Sequence, residues 1–397
     1  MKPSPTRHIP DAMSLNQSPQ QPFLPYGRQL ISEADIEAVA CALRSPWLTT
    51  GPLVGDFEQA VAGFCGVSHG VAVSSGTAAL HAAMAAIGIG PEDEVIVPAM
   101  TFAATANAVV YQGGTPVFAD VDADTLLIDP ASVKARISPR TRAIVAVDYA
   151  GQPCDYRALR TIAEAHNLWL VADACHSLGA EYGGKKVGTL ADCTVFSFHP
   201  VKHITTGEGG MVVTASAELA GAMRRFRNHG ISTDHRQREA QGTWQYEMVE
   251  LGYNYRITDL QCALGLSQLR QLPGFIERRR HIARLYAEVL AGSDAIRPLA
   301  VRPEAASAWH LYVVRLMGID REMAFRGLRV QGIGVNVHYL PVHLHPFYRQ
   351  RFGLGPGLCP VAEEAYQSIL SLPIWPGMDD AQAERVLQAL AQLQVGP

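Results

Sequence analysis

The chain has 397 residues, 48% hydrophobic and 18% charged, and its 33 Lys and Arg against 37 Asp and Glu give a net charge of −4. That balance is ordinary for a globular chain long enough to bury a core, and too acidic for a general phosphate-backbone binder such as a nucleic-acid protein. Seven cysteines without a C-x-x-C pair exclude a disulfide framework or zinc ribbon and fit a reducing, cytoplasmic setting. No run of about 18 apolar residues predicts a membrane span.

In chain order, residues 1–25 are rich in Pro, Gln and Ser with no apolar export core, so they are expected to form a loose tail. From about residue 56 to 270, short β-branched runs alternate with Ala-rich helical runs. The expected strands are Gly70–Val73, Glu94–Val97, Pro116–Phe118, Ala143–Val147, Trp169–Ala172, Cys193–Phe198 and Met211–Val213. Helical spacing lies between them over Thr77–Ile87, Phe102–Tyr111 and Tyr156–His166. Alternation of this kind predicts an α/β fold with a mostly parallel seven-stranded sheet covered on both faces.

Beyond about residue 270 the pattern changes. An amphipathic helix is expected over Phe275–Leu290, carrying Arg278-Arg279-Arg280 on a solvated face. A strand at Leu311–Leu316, a helix at Arg321–Gln331, a strand at Val335–Tyr339 and a last helix at Asp380–Leu393 follow. The chain therefore divides into residues 1–25 as tail, 26–270 as a large domain opening on a substrate-lining segment, and 271–397 as a smaller α+β domain.

Three features carry chemistry. Val73-Ser74-Ser75-Gly76-Thr77 reads as strand, turn and helix start, where free N–H groups and hydroxyls can cup an anion. Asp173, in Val171-Ala172-Asp173-Ala174-Cys175-His176, stands at the carboxyl end of a central strand, where α/β sheets bind ligands. Cys175 is expected to be only a spacer between Asp173 and His176. Lys202, in Ser197-Phe198-His199-Pro200-Val201-Lys202, follows the next strand, so it shares that rim and can form a Schiff base. A phosphate cup, a carboxylate and a lysine are what pyridoxal 5'-phosphate requires. Phe102, at another strand-to-helix turn, is the candidate to cover its ring.

With Gly252-Tyr253-Asn254-Tyr255-Arg256-Ile257-Thr258-Asp259 added, this ordered set resembles the DegT-type sugar aminotransferase family of fold type I pyridoxal phosphate transferases, over about residues 24–392. The resemblance implies that Lys202 carries the cofactor, Asp173 pairs with its ring nitrogen and His176 lies against the ring. Ser75, Gly76, Thr77 and Ser197 would hold its phosphate. Asn254 would reach the phosphate of a neighbouring subunit, implying a homodimer with shared sites.

Within the family the likeness is greatest to the group that aminates a UDP-linked 4-keto-6-deoxy amino sugar in pseudaminic acid biosynthesis, with L-glutamate as donor. Its carriers are Pro25-Tyr26-Gly27-Arg28-Gln29, Leu48-Thr49-Thr50-Gly51-Pro52, Phe198–Gly210 and Val335-Asn336-Val337-His338-Tyr339. By this likeness Tyr26, Trp47, Leu48, Thr49, Thr50, His338 and Tyr339 would line the sugar-nucleotide pocket. Two positions depart from the common pattern: Ala172 stands where many members have an acid, and Phe102 where many have Trp.

Other chemistries fit less well. Gly207-Glu208-Gly209-Gly210 lacks the spacing of a dinucleotide fingerprint. His338, His343 and His345 are separated by Pro341, so no metal site is expected from them. Sugar 3-dehydratases of the same family replace the cofactor lysine by histidine, whereas Lys202 is present here. A sugar-nucleotide-binding regulator would not need Lys202, Asp173 and the Ser-Gly-Thr cup together. The alternatives left standing are another nucleotide-sugar 3- or 4-aminotransferase of the same family and, behind it, such a non-catalytic regulator.

Overall fold

The structure is a computed structural model and describes residues 22–394, apart from 234 and 241. Most of the expected N-terminal tail lies outside the described residues. Seven strands form one sheet: β1 (His69–Val73), β2 (Glu94–Pro98), β3 (Thr115–Ala119), β4 (Thr141–Val147), β5 (Trp169–Asp173), β6 (Cys193–Ser197) and β7 (Gly210–Thr214). Their order is β1-β7-β6-β5-β4-β2-β3. All run parallel except β7, which pairs antiparallel with both β1 and β6. The seven expected strands are thus all present, and the architecture is that of a fold type I pyridoxal phosphate transferase.

The central strands read as continuous apolar runs because both faces are covered. Ile144, Val145, Leu170, Val171 and Val195 are fully buried, each such side chain contributing about 1.5–3 kcal/mol of burial. Helix α1 (Gly76–Ala86) packs an Ala-rich surface on the sheet, and α2 (Ala103–Tyr111) lies beside it. Since β1, β2, β5 and β6 point the same way, their carboxyl ends share one edge. Ser75, Thr101, Asp173 and Ser197 stand on it.

Helix α3 (Asp259–Leu290) is longer than its expected counterpart. It starts at a capping box, in which the Gln261 N–H donates to Thr258 Oγ1 (3.2 Å) and Thr258 N donates back to Gln261 Oε1 (3.0 Å). Pro273 does not stop it, because Pro273 and Gly274 both sit at exposed positions, where a lost backbone hydrogen bond costs least. The expected division at residue 270 falls inside this helix. Its Arg278-Arg279-Arg280 run is not a solvated face. Arg279 is fully buried, and its Nη1 donates to the carbonyls of Trp309 (3.2 Å), His310 (3.2 Å) and Ile374 (2.9 Å). Arg278 donates to the Met378 carbonyl (Nε, 2.8 Å) and Arg280 Nε to that of Ser307 (3.4 Å).

The smaller layer holds a three-stranded sheet, β8 (Ile296–Pro298), β9 (Tyr312–Leu316) and β10 (Ile369–Leu372), in the order β8-β9-β10. Helices Arg321–Val330 and Asp380–Gln394 accompany it. The expected strand at Val335–Tyr339 does not form; only Asn336 pairs, with Ser371. Side chains have taken the ladder's place: Val337 N donates to Asn336 Oδ1 (2.8 Å) and Tyr339 N to Met100 Sδ (3.4 Å). Residues around Leu24 join this layer, with Leu24 N donating to the Gly332 carbonyl (2.8 Å) and Ile374 N to that of Tyr26 (3.0 Å). Among the described residues no helix is long and apolar enough to cross a membrane.

Candidate active site

A cavity of about 520 Å³ opens at the carboxyl edge of the sheet, between it and the smaller layer. Ser75, Gly76, Thr77, Phe102, Asp173, His176, Ser197 and Lys202 all line it, as do Tyr26, His338 and Tyr339. Residues from four strand ends and from the second layer therefore converge on one space.

The α1 start is shaped as an anion cradle. Ser75 caps the helix, its Oγ accepting from Ala78 N (3.1 Å). A Cβ on Gly76 would lie 2.9 Å from Ser197 Cβ, and one on Gly210 would lie 2.3 Å from the Ser75 carbonyl oxygen. Glycine at both positions lets β6, β7 and the helix start close on one another. The free N–H groups and helix dipole there favour a phosphate, and the hydroxyls of Thr77 and Ser197 border it.

Asp173 ends β5, buried, and is held from two sides. Thr105 Oγ1 donates to its Oδ2 (2.7 Å) and Cys175 N to its Oδ1 (3.3 Å). Thr101 Oγ1 lies 2.7 Å from Thr105 Oγ1, so the hydroxyl pair extends back to the β2 turn. Cys175 is more than a spacer: it lines the cavity, and burial first, then Asp173, push its thiol well above its ordinary range.

Lys202 faces Asp173 and Cys175 across the cavity. Burial lowers its ammonium pKa, Cys175 and Asp173 oppose that, and Arg279 adds to the lowering. A lysine held this way gives up its proton more readily than one in water. His176, buried, sits with its ring 4.3 Å from that of His310 and its Nε2 3.2 Å from Tyr339 Oη. Burial holds His176, His203 and His310 well below the usual imidazole range, with Lys202 adding to the effect in each. All are neutral at pH 7.

Tyr26 and His338 have rings 5.3 Å apart, and His338 Nδ1 lies 2.8 Å from Ser371 Oγ. Phe102 is largely exposed at the cavity mouth, 6.0 Å centroid to centroid from Tyr339. His343 turns away from His338 and pairs with Glu363 (2.8 Å).

Two groups of expected residues are elsewhere. Trp47, Leu48 and Thr49 do not line this cavity, and neither does Asn254. Thr50 borders a second hollow of about 510 Å³, with Glu58, Arg224, Arg227, Asn228 and Arg256. Thr49 bridges Thr258 and Asn254 bridges Asn228, so both groups gather beside the second hollow, which Thr50 and Asn228 line. Thr105 and His310 were missed by sequence reasoning. Thr105 had a signal, a hydroxyl one turn past Thr101 at the head of α2; His310 had none.

The donor set suits pyridoxal phosphate: a helix-start cradle for its phosphate, a buried carboxylate for a pyridinium, an amine of lowered pKa for an aldehyde. A model of the DegT/DnrJ/EryC1/StrS aminotransferase family matches residues 29–391. The chain belongs to that family. It is an enzyme, an aminotransferase that works with pyridoxal phosphate. The spore coat polysaccharide biosynthesis protein SpsC of Bacillus subtilis is 40% identical over 380 residues, 94% of this chain and 98% of that protein. Among solved structures, the sugar aminotransferase Spr1654 of Streptococcus pneumoniae, described as putative, superposes in its PMP form with a TM-score of 0.89 at 32% identity, covering 94% of this chain and 99% of its own. Helicobacter pylori PseC, an aminotransferase involved in the biosynthesis of pseudoaminic acid, gives 0.87 at 32% identity, covering 94% and 99%.

Proposed function

We propose that this aminotransferase moves an amino group from L-glutamate to C4 of a UDP-linked 4-keto-6-deoxy amino sugar, giving a 4-amino-4,6-dideoxy sugar nucleotide of the pseudaminic acid pathway. The single observation that carries the reading is the convergence of Lys202, Asp173, His176 and the Ser75–Thr77 cradle on the cavity that Tyr26, His338 and Tyr339 also line. The likeness to PseC supports the choice of sugar.

When bound, pyridoxal phosphate supplies an aldehyde for amines and a protonated ring that draws electrons from a neighbouring C–H bond. Lys202 Nζ would hold that aldehyde at rest and, once released, would be the base that carries the proton. Its lowered pKa leaves the amine free to accept one. Asp173 keeps a proton on the ring nitrogen, and Thr105 fixes the carboxylate that does so. His176 would lie against the ring, and Phe102 stands at the cavity mouth. Ser75, Gly76, Thr77 and Ser197 hold the phosphate. Tyr26, His338 and Tyr339 orient the sugar.

Asn254 and the Trp47–Thr50 turn complete the site of a second copy in a homodimer. Their position beside the second hollow, outside the lining of the cavity that holds Lys202, supports that arrangement. The free state of all seven cysteines accords with a cytoplasmic setting.

A second reading is a different nucleotide-linked keto sugar aminated at C3 or C4; the 40% identity to SpsC, named for spore coat polysaccharide biosynthesis, supports it. Incubation with glutamate and a panel of UDP- and TDP-linked 3- and 4-keto sugars, with products identified by mass and NMR, separates the two. Amination of the UDP-linked 4-keto-6-deoxy substrate is expected. Turnover confined to another member of the panel would replace the first reading by the second.

A further inference from the structure

His310 comes from the smaller layer, between α3 and the sheet of β9, yet reaches the cavity floor. Its Nε2 lies 3.5 Å from Lys202 Nζ, and its ring packs 4.3 Å from that of His176 and 5.7 Å from that of His203. The residue is buried, and its Nδ1 finds no hydrogen-bond partner among the described residues. One ring nitrogen is thus committed to Lys202 and the other to nothing.

The backbone under His310 is pinned by a charge. Arg279 Nη1 donates to the carbonyls of both Trp309 and His310, and to Ile374 from the segment after β10. Arg279 Nε and Nη2 have no partners among the described residues. A fully buried guanidinium bound to carbonyls is costly to maintain, since no carboxylate among the described residues pairs with it. Burial lowers even its pKa, to about 9. Such a group is best understood by what it does to its neighbours. The charged or titratable groups facing His310 are Lys202, His176, His203 and Arg279, and each disfavours a proton on it.

We propose that His310 is a positioning residue for Lys202, its neutral imidazole accepting a hydrogen bond from the Lys202 ammonium at Nε2, and that Arg279 holds it there. The inference rests on the role given to Lys202 above. An imidazole kept neutral remains an acceptor, so it orients Nζ toward the cavity whenever Lys202 is not bound to the cofactor. A protonated imidazole would repel the ammonium instead. Arg279 serves twice: it fixes the Trp309–His310 backbone through two carbonyls, and its charge adds to the burial that keeps the ring neutral. Among the described residues no group of the sheet domain lies within hydrogen-bond distance of Lys202 Nζ, whereas His310 does, so the two layers must be packed together before Lys202 is aimed.

The test uses apo enzyme, so it needs neither substrate nor cofactor. Acylation of Lys202 by an amine-reactive reagent is followed by peptide mass spectrometry as a function of pH. In His310→Phe, loss of the acceptor destabilises the ammonium, and the labelling midpoint should fall by at least half a pH unit while the melting temperature stays close to wild type. His310→Gln, which restores an acceptor, should return the midpoint most of the way. An unchanged midpoint in a folded His310→Phe protein overturns the proposal. A crystal structure of wild-type apo enzyme tests the same contact without any substitution: Nζ within hydrogen-bond reach of Nε2 supports it, and Nζ turned away from His310 overturns it. Failure of the Lys202 role itself would appear separately, as unaltered cofactor absorbance in Lys202→Ala.

Discussion

Thr105 Oγ1 donates to Asp173 Oδ2 at 2.7 Å, tying the first turn of α2 to the end of β5. The two residues are 68 positions apart and both are buried. A hydrogen bond to a carboxylate is worth about 1.5–3 kcal/mol. Thr105→Val removes it at nearly constant volume. We expect kcat to fall roughly tenfold or more, in line with that energy, while cofactor binding persists. Thr105→Ser should recover most of the loss; equal kcat in the Val and wild-type enzymes would remove Thr105 from the site.

Gly76 leaves no room for a side chain, since its Cβ would stand 2.9 Å from Ser197 Cβ. Overpacking of this kind costs about 1–3 kcal/mol. Gly76→Ala is expected to weaken cofactor affinity about ten- to a hundredfold, measured by equilibrium dialysis against pyridoxal phosphate. Affinity equal to wild type would mean the cradle holds something else.

Lys202→Ala should abolish the visible absorbance of cofactor bound through the lysine, along with turnover. The comparison is one spectrum before and after the substitution. Retention of the wild-type band in the mutant would transfer the cofactor to another amine.

Lys202 lines the first cavity and Asn254 of the same chain does not. If sites are shared, a mixture of Lys202→Ala and Asn254→Ala proteins regains activity that neither shows alone. At random assortment half the dimers are mixed, and each has one site free of both substitutions, so about a quarter of wild-type activity should return. No recovery, with exchange verified by mass spectrometry, would count against sharing.

The buried histidines set an acid limit on stability. His81 is held at about 4 and His338 at about 3, both by burial, and His176, His203 and His310 also lie well below the usual value. The unfolded chain binds these protons near pH 6.5 and the folded chain does not, so the stability they contribute is complete above pH 6.5. It is lost as pH falls through the folded values. Asp148, pushed up to about 6 mainly by burial, works the other way between pH 4 and 6, as one group against five. Melting temperature should therefore drop from pH 7 to pH 4. A flat profile there would show that these histidines are protonated in the folded protein.

Much of this site was legible because its chemistry is local. A strand followed by Ser75-Gly76-Thr77, an acid closing another strand and a lysine just past the next are each short runs. A parallel sheet brings such strand ends to one edge whatever lies between them. The resemblance of these motifs to DegT-type aminotransferases then supplied roles that spacing alone does not contain. The strand expected at Val335–Tyr339 failed for the opposite reason: its pattern is strand-like, but Asn336 and Met100 side chains took the backbone donors of a ladder.

The sequence by itself determined the seven strands and, through the resemblance of its motifs, the family, because strand periodicity and turn chemistry are written in neighbouring positions. Only the tertiary structure decided which side of α3 is buried, and with it the fate of the arginine run. Three consecutive arginines look like a solvated face until Arg279 meets three carbonyls from segments 30 and 95 residues away. Tertiary contact likewise brought His310 to Lys202 across 108 residues. It also left Trp47, Leu48, Thr49 and Thr50 outside the cavity they were expected to line. Such pairings depend on how two layers pack, and packing is a property of surfaces assembled from distant parts of the chain.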